Sequence, residues 1–104
     1  MKLTGKCKAD FEKWFRTNVP LVDINIFNNR TTPKSMQFGI YCDFFNSVGI
    51  EIDIRFIRGL YLYERVVYFR NRKEDTTLYN KLHATHQEAR EQAILKANEI
   101  YNEL

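Results

Sequence analysis

The sequence predicts an α+β domain of order α-β-β-β-α, a three-stranded antiparallel sheet with both helices packed on one face. Two observations carry this expectation. Between Met36 and Phe69, apolar residues recur at every second position: Met36, Phe38, Ile40, Cys42 and Phe44, then Ile50, Ile52, Ile54 and Phe56. That period belongs to strands with one face buried. On either side, apolar residues recur at helical spacing, Cys7, Phe11, Trp14 and Phe15 before the stretch and Ala89, Ala93, Ala97, Ile100, Tyr101 and Leu104 after it. Two amphipathic helices are the natural cover for such a sheet.

In chain order, Thr4 is the expected N-cap of a first helix running to about Thr17, with Gly5 weakening its first turn. Pro20 prevents its simple continuation. Val22, Ile24 and Ile26 alternate as in a short edge strand, and Asn28 to Pro33 is loop chemistry. The loop Ser47-Val48-Gly49, with Gly49 left-handed, is expected to join the first two strands as a hairpin. That register sets Phe44 opposite Ile52, Tyr41 opposite Arg55, and Asp43 opposite Asp53. For the second hairpin two registers stay open. A three-residue loop, Arg58-Gly59-Leu60, puts Arg65 beside Asp53, whereas a four-residue loop pairs Arg55 with Glu64. Arg70 to Lys81 reads as a polar loop, with a short edge element around Thr76 to Tyr79. Thr85-x-x-Glu88 is a capping box opening the last helix, whose three alanines allow close approach to the sheet.

The chain has 104 residues, of which 44% are hydrophobic, 28% charged and 14% aromatic. These values fit one soluble domain, residues 1–104, with its own core and no need of a metal or disulfide staple. The net charge of +3 permits a nucleic-acid partner without implying one. Two cysteines, Cys7 and Cys42, read as reduced core thiols. No apolar run is long enough to span a membrane, and the charged start predicts no secretory signal. The expected compartment is the cytoplasm.

No catalytic site, metal site or cofactor is predicted. The histidines, His83 and His86, stand as His-x-x-His across the start of the last helix and read as exposed polar residues at a cap. No Gly-x-Ser-x-Gly elbow occurs, and Gly5, Gly39, Gly49 and Gly59 are too scattered to cradle a phosphate. The predicted binding surface is the open sheet face, carrying Tyr41, Tyr61 and Tyr63 with Arg55 and Arg65 among them. Rings interleaved with arginine suit a protein interface or self-association, and as an alternative they can stack bases and contact phosphates. Asp43 and Asp53, opposed across two strands, need a counter-ion. Arg65 is the expected one, making a cluster of Asp43, Asp53 and Arg65.

The helix, three strands and helix, together with the run Thr85-His86-Gln87-Glu88-Ala89-Arg90-Glu91-Gln92-Ala93-Ile94-Leu95-Lys96-Ala97, resemble the double-stranded RNA-binding domain in topology and in alanine spacing. The resemblance implies the architecture. That family grips phosphates from the first turn of its last helix, at positions matched here by about His86, Gln87 and Arg90, and only Arg90 offers a comparable cation. The family's groove-reading loop is matched by Asn46-Ser47-Val48-Gly49. Leu3-Thr4-Gly5-Lys6, Asp10-Phe11-Glu12-Lys13-Trp14, Phe44-Phe45-Asn46-Ser47-Val48-Gly49-Ile50 and Glu88-Ala89-Arg90 also resemble short proteins of gut bacteria and their phages. That second resemblance implies an origin and no activity. The reading as a whole is a small binding domain rather than an enzyme.

Overall fold

The first helix forms where its apolar stripe places it. In the computed structural model, which describes residues 2–70 and 76–104, α1 (Gly5–Asn18) buries Cys7, Phe11 and Phe15. Thr4 adopts the extended N-cap conformation, but its hydroxyl caps nothing in its own helix. The cap comes instead from two asparagines near the other end of the chain. Asn102 Oδ1 accepts the Cys7 N–H at 2.8 Å, and Asn98 Oδ1 accepts the Thr4 N–H at 2.9 Å. Their amides reciprocate: Asn98 Nδ2 donates to Thr4 Oγ1 at 3.0 Å, and Asn102 Nδ2 donates to the Thr4 carbonyl at 3.0 Å. Gly5 is required at this junction. Its φ is +59°, and a Cβ there would lie 3.3 Å from Asn102 Oδ1, so both backbone and space favour glycine.

Residues 22–26 are not an edge strand. Asp23 accepts the Asn25 N–H at 2.7 Å and opens a one-turn helix, α2 (Ile24–Phe27), whose Phe27 is buried. The larger correction lies just beyond. Residues 36–44, predicted as the first strand, form the middle of α3 (Lys34–Ser47). The segment carries a second pattern, Gln37, Tyr41, Phe44, Phe45 and Val48, at helical spacing. A strand would send Tyr41 and Phe44 to opposite faces, whereas a helix turns both toward α1. There they interlock with rings from α1 and α2. Centroids lie 5.0 Å apart for Phe11–Tyr41, 5.4 Å for Phe11–Phe44 and 5.3 Å for Phe27–Tyr41. That aromatic cluster decides between the two periods. Gly49 does take the left-handed conformation, with φ +87°. It ends α3, however, donating its N–H to the Asn46 carbonyl, and closes no hairpin.

The sheet therefore begins one strand later. β1 (Ile50–Ile57), β2 (Leu62–Arg70) and β3 (Thr76–His83) pair antiparallel in the order β1-β2-β3. The β1–β2 register, Arg55 opposite Glu64 and Ile54 opposite Arg65, is that of the four-residue loop. The edge element expected at Thr76 to Tyr79 extends to His83 and is the third strand. The loop expected over Arg70 to Lys81 is therefore strand at both ends, and its residues 71–75 lie outside the described residues. The order α-β-β-β-α thus holds, with α2 and α3 added between the first helix and the sheet.

α4 (His86–Asn102) starts as its capping residue dictates, Thr85 Oγ1 accepting the Glu88 N–H at 3.1 Å. Ala89, Ala93 and Ala97 are fully buried, which brings α4 close onto β2 and β1. α3 lies beside β1, and α1 packs on α4, α2 and α3. The core between the layers holds Ile50, Val67 and Ile94, with Ile52, Ile54, Phe69 and Tyr79 packed against it. Cys7 and Cys42 are both free thiols. The opposite sheet face, with Glu51, Asp53, Arg55, Glu64, Val66, Leu78, Asn80 and Leu82, carries no helix among the described residues.

Candidate functional site

Two surfaces have the makings of a site: the uncovered sheet face with its β3 edge, and a cleft between α1, α2 and α3.

Of the five residues expected on the open face, only Arg55 stands there. Tyr41 is in the core on α3, 4% exposed, its hydroxyl pushed up to about 12 first by burial and then by the nearby Cys7. Tyr61 occupies the β1–β2 turn in the left-handed region, φ +52°, and is 80% exposed. Tyr63 and Arg65 point to the helix side, because the four-residue turn pairs them with Phe56 and Ile54. The Tyr63 ring meets Phe56 at 5.2 Å and the edge of His86 at 5.3 Å. Burial lowers the Arg65 pKa, partly offset by Glu99, and its Nε and Nη1 are buried without a hydrogen-bond partner.

The predicted cluster of Asp43, Asp53 and Arg65 does not form. Asp43 lies on α3, so no strand sets it opposite Asp53. Arg65 faces away, and the counter-ion of Asp53 is Arg55, with Nε to Oδ2 at 2.9 Å. Arg55 also donates through Nη2 to the Tyr68 hydroxyl at 2.8 Å. Asp53, first through that hydrogen bond, holds the guanidinium pKa above its ordinary value. Tyr68 is thus the ring of this face. Beside it Asn80 Nδ2 donates to Glu64 Oε2 at 3.2 Å, and Val66 is buried beneath these polar groups at 2% exposure. On β3, Leu78 and Leu82 remain 50% and 41% exposed, and among the described residues the strand pairs with β2 alone.

The histidine reading also changes. His83 is buried, 6% exposed, at the end of β3, with Nδ1 3.4 Å from Glu88 Oε1. The carboxylate that would complete the capping box is engaged there instead. The His86 pKa is lowered, first by burial and then by Arg90. Among the described residues, no three His, Cys, Asp or Glu side chains are grouped to hold a metal. Both thiols are pushed up to about 12, chiefly by burial, which keeps them protonated and poor nucleophiles at neutral pH.

The cleft has a volume of about 510 Å³. Its rim carries Lys2, Lys8, Arg30 and Lys34 against a single carboxylate, Glu12, and its apolar wall includes Leu3, Ile24 and the rings of Phe11 and Tyr41. Lys34 reaches Glu91 at 3.9 Å. Among the described residues, Lys2, Lys8 and Arg30 have no ion pair. The reading of residues 22–44 as strand and loop hid this cleft. Its signal was present as Lys34, Gln37 and Tyr41 at i, i+3 and i+7, and as Lys8, Phe11 and Glu12 at i, i+3 and i+4.

No protein-family model, curated protein or solved structure matches this chain. No helix among the described residues is long and apolar enough to cross a membrane.

Proposed function

We propose that this protein is a non-catalytic interaction domain that self-associates by strand addition at β3. The observation carrying this reading is the β3 edge, which pairs with no further strand among the described residues: eight residues, without proline, in unbroken register with β2 from Tyr63–His83 to Arg70–Thr76. Natural sheets usually blunt such an edge with proline, a bulge or charge. β3 has no proline and no break in register, and its one charge is the exposed Lys81 on the helix side. Such an edge remains a template for another strand. A second copy is the occupant because β3 complements itself. Antiparallel pairing about a two-fold axis at Asn80 sets Leu78 opposite Leu82 of the copy twice, Asn80 opposite Asn80, and no like charges directly opposed. The leucines, half exposed in one chain, then cover each other on the open face. Two free cysteines fit a reducing compartment, so the cytoplasm is the proposed location.

Sedimentation velocity over a hundredfold concentration range tests the reading. The expected result is a concentration-dependent dimer that Leu78→Glu and Leu82→Glu each abolish, since either opposes a carboxylate to a leucine. A monomer at every concentration, or a dimer indifferent to both changes, overturns it.

A further inference from the structure

We infer that the cleft between α1, α2 and α3 binds a hydroxyl-bearing organic phosphate, of the size of a sugar phosphate or a nucleoside monophosphate. Three independent features converge on that class. The first is charge: four cations and one carboxylate ring the opening, and three of the cations have no ion pair among the described residues. Side chains of like charge held together repel one another, and an anion between them relieves that repulsion. The whole chain shows the same bias. Residues 2–47 hold seven Lys and Arg against four Asp and Glu, while residues 48–104 hold nine of each. The net charge of the molecule is therefore the net charge of the half that builds this cleft.

The second feature is size and lining. A volume of about 510 Å³ lies within the range of small-molecule sites, which run from roughly 300 to 1,000 Å³. Leu3, Ile24 and the edges of the Phe11 and Tyr41 rings give the interior an apolar wall. An inorganic anion makes no use of such a wall, whereas the carbon body of an organic phosphate does.

The third is Glu12. A carboxylate in a cationic rim repels a bare polyanion, yet it is the natural acceptor for a ligand hydroxyl, as acidic residues are for ribose. Asn28 and Asn29 stand on the same rim and add amide groups for further hydroxyls or a base edge. Lys34 and Gln37 belong to the first turn of α3, a fourteen-residue helix whose N-cap is Pro33 and has no side-chain cap. The positive end of that helix therefore adds to the field of the lysines.

Calorimetric titration of the full chain at low and physiological salt tests this, using inorganic phosphate, ribose 5-phosphate, adenosine and adenosine monophosphate. The expected result is saturable, salt-sensitive binding of one or both organic phosphates. Inorganic phosphate and adenosine should bind at least about tenfold more weakly, each lacking one of the two elements recognised. A preference for adenosine monophosphate over ribose 5-phosphate assigns the amides to a base, and equal binding assigns the site to the sugar phosphate alone. Arg30→Ala and Lys34→Ala should each lower affinity by about tenfold, while Glu12→Gln should narrow the gap between organic and inorganic phosphate. Arg30 and Lys34 are exposed, so unchanged thermal melts of these variants separate lost binding from lost folding. Lys13→Ala, on α1 outside the cleft, should bind as the parent does. No saturable binding, binding indifferent to Arg30 and Lys34, or preference for inorganic phosphate overturns the inference. Tight binding confined to a 5′-phosphorylated oligonucleotide also overturns it, in favour of a nucleic-acid end.

Discussion

Asn102 shows how far one exposed side chain can matter. Its carboxamide accepts the Cys7 N–H and donates to the Thr4 carbonyl, doing for α1 what an N-cap side chain does for most helices. Asn102→Ala should therefore destabilise the protein by about 1–2 kcal/mol, read as a lower urea midpoint at unchanged slope. An unchanged midpoint means water replaces the cap at no cost. A second residue-scale expectation concerns alkaline pH. Cys7, Cys42, Tyr41 and Tyr101 are all pushed up to about 12, each first by burial, from ordinary values of 9.0 for the thiols and 10.0 for the hydroxyls. Between those limits the folded protein holds protons that the unfolded chain has released. Stability from these groups is fully present below pH 9 and lost as the pH rises through 10 toward 12. Urea midpoints at about pH 8 and pH 10.5 should differ accordingly. Tyr101→Phe, which removes one titrating group and its 2.6 Å bond to Asp10, should flatten the slope while lowering stability at pH 8.

At the scale of elements, α3 is the informative case. Gly39 sits inside that helix with nothing within 4 Å of where a Cβ would stand. Gly39→Ala should stabilise the fold by about 0.5–1 kcal/mol through lost backbone freedom in the unfolded chain. A drop in the urea midpoint would contradict a helix at that position. The same segment shows what sequence can reveal. α1 and α4 were legible because an apolar stripe held over about four turns in each, with Pro20 stopping the first helix and Thr85 capping the last. β1 and β2 were legible through alternation, although only the four-residue alternative fits the turn. Residues 36–45 carry both periods, with Met36, Phe38, Ile40, Cys42 and Phe44 on the alternating one and Tyr41, Phe44 and Phe45 on the helical one, and the distant rings of Phe11 and Phe27 resolve the tie. β3 was underread because Asn80 and Lys81, on opposite faces, interrupt its apolar residues Leu78, Tyr79 and Leu82, so the segment shows no sustained alternation. The expected binding residues failed with the register: one residue of turn length sends Tyr63 and Arg65 to the helix side.

For the whole molecule, the order α-β-β-β-α accompanies a distribution of charge unlike that of a duplex-RNA binder. The matched position Arg90 lies 5.4 Å from the Phe38 ring, with Nε buried, and His86 rests its edge on Tyr63. These side chains serve packing on α4, and Lys2, Lys8 and Arg30, without an ion pair among the described residues, line the cleft instead. A duplex spans several phosphates in line and needs a track of cations. Titration with duplex RNA at physiological salt should accordingly show nothing tighter than about micromolar. Submicromolar, length-dependent binding would place the functional surface on α4 after all.

The asparagine clamp has a consequence for how the chain is made. α1 is synthesised first, but the groups that close its N-terminal turn lie more than ninety residues later in the sequence. While Asn98 and Asn102 are still inside the ribosome, the opening turn of α1 has unpaired donors and a left-handed glycine at its head, and it frays. The aromatic cluster with α2 and α3 can assemble meanwhile, since all its rings from Phe11 to Phe44 have emerged. Folding of this chain is then vectorial for its helical half and retroactive for its first turn, which locks when α4 arrives.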